Sequence, residues 1–70
     1  MTESNKGLAI PTDVYDKDGN MLRIEFHDQN GEIIIDVVWD PLDEQTSELR
    51  TQFRKWAYRS LKQMGYQVNT

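Results

Sequence analysis

From Met21 to His27 the chain alternates: Leu22, Ile24 and Phe26 fall on one side, Arg23, Glu25 and His27 on the other. That period of two marks a half-buried strand. Glu32 to Trp39 is β-branched and apolar and reads as another strand. An earlier one is interrupted: Leu8-Ala9-Ile10 is apolar, Pro11 breaks it, and Thr12 to Tyr15 can resume an extended run. Proline has no N–H to give to a ladder, so it fits there only at an edge or a strand start. Asp16-Lys17-Asp18-Gly19-Asn20 and Asp28-Gln29-Asn30-Gly31 separate the segments. Their Asp-Gly, Gly-Asn and Asn-Gly pairs tolerate positive φ and predict turns. Two adjacent hairpins make an antiparallel meander with Met21–His27 at its centre.

After Trp39 the period changes. Leu42, Leu49, Phe53, Trp56, Ala57, Ser60 and Met64 share one arc at about 100° per residue, with Leu61 on its border. Two helix starts fit. Asp40-Pro41 offers an N-cap followed by proline at the first helical position. Thr46 or Ser47 offers a later start, with residues 41–45 as a turn. Asp43, Glu44 and Glu48 suit the positive end of the helix dipole. Gly65 is a natural stop, and Tyr66 to Val68 can return as a short extended tail. The order β-β-β-α predicts an α+β fold, a three-stranded antiparallel meander with one C-terminal helix packed on one face. The expected core sets Val14, Leu22, Ile24, Phe26, Ile33, Ile35, Val37 and Trp39 against Leu49, Phe53, Trp56, Ala57 and Met64.

Seventy residues make at most one domain, here residues 8–70 after a polar, flexible tail at 1–7. That start lacks the apolar stretch of a secretory leader, and no apolar run nears the roughly 18 residues of a membrane span. A cytoplasmic protein with no membrane partner is expected. The absence of cysteine excludes disulfides, thiolate metal sites and thiol nucleophiles. Below about 70–80 residues one core rarely supplies more than ~3–5 kcal/mol. Either the packing is unusually good or a second copy or partner covers apolar surface.

Catalytic chemistry finds little support. His27 is the single histidine, at a strand end beside a turn, where a solvated imidazole is the commoner reading than a base or ligand. Asp16, Asp18 and Glu25 partly match the spacing of a calcium loop with Gly19 at its sixth position, but Val14 then stands where the first ligand belongs. The plain Asp-Gly turn is the better reading. No glycine-rich phosphate loop is present. No catalytic residue, metal or cofactor is therefore assigned.

Charge divides the chain. Residues 1–48 carry all 12 acids and three bases, a net of -9, whereas residues 49–70 carry five bases and no acid. Helix dipole effects and pairing of helix bases with sheet acids can account for this split. The alternative is a nucleic-acid interface on the outer helix face, built from Arg50, Arg54, Lys55, Arg59 and Lys62 with Tyr58 as a stacking aromatic. A net charge of -4 opposes it. The other candidate surface is the outer face of the sheet. Ile34 and Val38 stand where alternation predicts water, with Arg23, Glu25, Glu32 and Asp36 around them. The expected function is a small acidic, non-enzymatic module that binds and modulates or inhibits another protein, for instance at a basic nucleic-acid-binding site. A homodimer through the same face is the simplest variant of that idea.

Overall fold

The computed structural model describes residues 6–40 and 44–68. Strands β1 (Leu8–Tyr15), β2 (Met21–His27) and β3 (Ile33–Val38) form the antiparallel meander; helix α1 (Ser47–Gln63) follows, and β4 (Gln67–Val68) ends the described chain. The fold is α+β as the pattern predicts, with one addition. The short return after Gly65 pairs parallel to the start of β1, so the sheet has four strands in the order β3-β2-β1-β4. Met1–Asn5 and Pro41–Asp43 lie outside the described residues, and with them most of the expected tail, the proline helix start and Leu42. No described helix is long and apolar enough to cross a membrane.

Both hairpins close by the same device. The Asp16 carboxylate accepts the N–H groups of Asp18 and Asn20, each at 2.9 Å, and the Asp28 carboxylate accepts those of Asn30 and Glu32 at 2.8 and 3.0 Å. Gly19 and Gly31 take a left-handed φ of 84°, which only glycine adopts without steric cost. The backbone amides hold the Asp16 carboxyl below its ordinary range, that of Asn20 most strongly. This oxygen therefore serves the turn.

The helix takes the later of its two starts. Thr46 is the N-cap, accepting the Leu49 N–H at 3.1 Å, and Glu48 lies in the first turn. At the other end Tyr66 N–H donates to the Leu61 carbonyl and Gly65 N–H to that of Lys62, the paired bonds of a Schellman stop. Gly65 has φ 101°. The chain then runs directly into β4, where Gln67 N–H donates to Gly7 at 2.9 Å.

The core departs from strict alternation because two β-bulges intervene. In the β1–β2 ladder, Val14 faces Arg23 and Tyr15 faces Met21, so Leu22 has no partner. The extra residue reverses the parity of the strand: Met21 turns inward beside Ile24 and Phe26, and Leu22 is exposed. In the β2–β3 ladder, Phe26 faces Ile35 and His27 faces Ile33, leaving Ile34 as the extra residue. Ile34 packs against the core and Ile33 turns outward, while Ile35, opposite Phe26, keeps the helix-side face but is 37% exposed on the edge strand. Val14 pairs with Arg23 and shares its outward face. The fully packed cluster is Ala9, Met21, Ile24, Phe26, Ala57, Leu61 and Val68.

The helix is also rotated from the expected orientation. Ala57 and Leu61 are its buried residues, while Leu49, Trp56 and Met64 are exposed. On the wheel the buried arc lies roughly 60° from the centre of the apolar arc. Contacts on the β1 side account for the rotation. Arg54 bonds to Asp13 across the layers at 2.7 Å, and the Tyr58 ring meets Phe26 edge-on at 5.9 Å. Ala57, with no side chain beyond Cβ, is fully buried.

The two sheet edges differ. Trp39 N–H donates to the Leu22 carbonyl at 3.0 Å. By the alternation of an antiparallel ladder, Ile24 and Phe26 then exchange bonds with Val37 and Ile35. The peptide groups of Arg23, Glu25 and His27 point the other way, to Val14, Thr12 and Ile10. Pro11 therefore directs its nitrogen away from β2 and costs the ladder nothing. It stands just beyond Ala9, the last β1 residue paired with β4, and caps that edge. At the opposite edge β3 has no strand neighbour among the described residues, and no lysine or proline interrupts it.

Candidate protein-interaction surface

The register lays out the outer sheet face in three rows. Val14, Arg23 and Val38 make the first, Thr12, Glu25 and Asp36 the second, and Ile10, His27 and Ile33 the third. Arg23, Glu25 and His27 run down the centre, and each flank is aliphatic at its two ends with a polar residue, Thr12 or Asp36, between them. The central groups hold one another. Arg23 Nε donates to Glu25 at 2.8 Å, and His27 Nε2 lies 3.2 Å from the other oxygen of the same carboxylate. The second ring nitrogen of His27 lies 3.3 Å from the Gly31 carbonyl. Glu25 is only 16% exposed.

The Glu25 carboxyl is held below its ordinary value, first by the Arg23 hydrogen bond, with His27 adding and desolvation opposing. A depressed carboxyl pKa contributes stability above the ordinary glutamate value, and the contribution is lost as pH falls through the folded value. Glu25→Gln removes that link. Its urea midpoint should change less than the parent's between about pH 5 and 3. Parallel curves for the two proteins would show that the ladder is energetically idle.

Of the residues singled out in the sequence, Arg23, Glu25, Asp36 and Val38 do share the outer face. Ile34 does not; the bulge turns it to the core side, correcting its expected exposure. Glu32 sits at the turn, where its N–H serves Asp28. On the helix, Arg54, Lys55, Tyr58, Arg59 and Lys62 line one shallow cleft with Thr51, and Arg50 is outside it. Two of the set are already engaged. Arg54 is paired with Asp13, whose hydrogen bond keeps the guanidinium more firmly protonated. Tyr58 is half-buried, its phenol raised by desolvation and lying edge-on to Phe26. Lys55, Arg59 and Lys62 are exposed.

A surface that alternation did not reveal lies along the β3 edge. The Trp39 indole is buried against Phe53, ring centroids 4.9 Å apart, and Trp56 leans on the far side of Phe53 at 6.2 Å. Trp56 remains 56% exposed and Val38 65%. With Leu49, Gln52, Asp40 and Glu44 these residues line a cleft of about 540 Å³. Among the described residues its ionisable side chains, Asp40 and Glu44, are carboxylates. The readable signal was the position of Trp56 at the border of the helical arc, roughly 60° from its centre.

The side chain of Gln45 frames the end of this edge. Its side-chain amide accepts the Met21 N–H at 2.9 Å and donates to the Met21 carbonyl at 2.6 Å, as a strand neighbour would. Among the described residues no group of three His, Cys, Asp or Glu side chains is placed to hold a metal ion. Compared with known proteins, the chain matches no family model, no curated protein and no solved structure.

Proposed function

We propose that the chain is a non-enzymatic interaction module that docks its β3 side onto a cytoplasmic partner protein and modulates or inhibits it. The observation that carries this reading is the offset between the apolar and the buried stripe of α1. It leaves Trp56 and Leu49 in water beside Val38. Fully burying one large apolar side chain contributes about 1.5–3 kcal/mol, so a partner covering three of them gains a strong anchor. Indole side chains commonly supply such anchors. The carboxylates Asp36, Asp40 and Glu44 suit a basic partner, including one that binds nucleic acid.

The test is capture of partners from a lysate of the source cell by the parent and by a Val38→Lys, Trp56→Ser variant, with nuclease present. Both positions are exposed, so the variant should keep its circular dichroism. Loss of a discrete protein in the variant supports the proposal; equal capture by both refutes it. A second reading, nucleic-acid binding by Lys55, Arg59 and Lys62, rests on their common cleft. It requires salt-sensitive retention on nucleic acid that Lys55→Glu with Arg59→Glu removes. The engagement of Arg54 and Tyr58 weighs against it.

A further inference from the structure

Resting on the interaction reading above, we infer that the segment of the partner seated here is an extended, basic strand added to the edge of β3. Two sets of observations converge. The first is the backbone. Val37 and Ile35 spend their peptide groups on β2, so those of Asp36 and Val38 point outward from the open edge. Outside the strand ladder, no hydrogen bond among the described residues reaches them. Four donors and acceptors are thus aligned for one more strand, the arrangement used in β-strand addition.

The second is what flanks that edge. A strand paired there turns alternate side chains to opposite faces. The residue opposite Val37 faces the helix side and enters the cleft between Trp39, Phe53 and Trp56. Its two neighbours, opposite Asp36 and Val38, lie on the outer face, where the Asp36 carboxylate is exposed. The fitting pattern is a large apolar residue with lysine or arginine on both sides. Glu44 at the cleft adds to the attraction. A second copy of this chain is a poor occupant, because it brings Asp36, Asp40 and Glu44 against the same carboxylates.

The probe is a small set of seven-residue peptides, capped at both ends, with the centre Lys-Leu-Lys, Arg-Leu-Arg or Arg-Trp-Lys between Thr-Val and Val-Thr. Binding is followed on the isotope-labelled parent chain by amide exchange. At least one peptide should bind below about 1 mM and slow exchange of the Asp36 and Val38 amides at least tenfold. Glutamate in place of both bases, N-methylation of the amides that face β3, or Trp56→Ala in the protein should each weaken it at least tenfold. No binding by any peptide overturns the inference. So does binding that leaves those two amides unprotected, or protection of them in a peptide-free dimer. Should Val38→Lys with Trp56→Ser still abolish partner capture while the peptides fail, the interaction module stands and only strand addition falls. Failure of both removes the module as well.

Discussion

Phe26→Ala should leave the chain largely unfolded at 25 °C. Phe26 is wholly buried on the central strand and carries the edge-on contact with Tyr58. Truncating such a ring costs about 3–5 kcal/mol, comparable to everything a core of this size supplies. Trp56→Ala provides the contrast. The indole is more than half exposed, with Phe53 as its ring neighbour, so the same truncation should cost about 1 kcal/mol or less. Urea unfolding of the two variants checks the pair. A cooperative transition for Phe26→Ala together with collapse of Trp56→Ala would mean that the helix is turned the other way.

The next largest effect separates two neighbours in β3. Ile34→Lys should destabilise by about 2–3 kcal/mol, since the bulge directs this side chain onto the core and an ammonium there must leave or lose its water. Val38→Lys, 65% exposed on the outer face, should stay within about 0.5 kcal/mol of the parent. Thermal melts monitored by far-ultraviolet circular dichroism distinguish them. Equal melting temperatures would show that the β2–β3 bulge does not direct residue 34 inward.

These two residues also show where the pattern of the chain was readable and where it was not. The elements were legible because period two over Met21–His27 and period 3.6 over Leu49–Met64 are local signals. The turns were legible because Asp, Asn and Gly carry their own backbone chemistry. A bulge has no such signature. Inserting one residue reverses a face, and nothing in Leu22 or Ile34 as residue types announces it. The helix orientation was hidden for a related reason. Asp13 and Arg54 pair across the layers, which depends on tertiary register. Their pairing, with Tyr58 against Phe26, placed polar and aromatic groups within the contact arc and left Trp56 outside. Of the proposed surface, Asp36 and Val38 were identifiable from alternation, whereas the cleft beside them was not.

The asymmetry of the sheet bears on stoichiometry. A strand-edge contact propagates into a filament only when each molecule offers two receptive edges, as open assemblies do. Here the β1 edge is covered by β4 at Leu8 and Ala9 and broken at Pro11, which has no N–H to donate, leaving a short stretch around Asp13. Among the described strands, β3 offers the longer uninterrupted edge. Each chain therefore takes up one strand at this edge, and the far edge of that strand belongs to the partner. Such a chain exposes Ile33, Ile35 and Val38 along one edge, while its other edge is too short and too broken to pass a long strand contact on. Its complexes through that edge close at one partner for each chain.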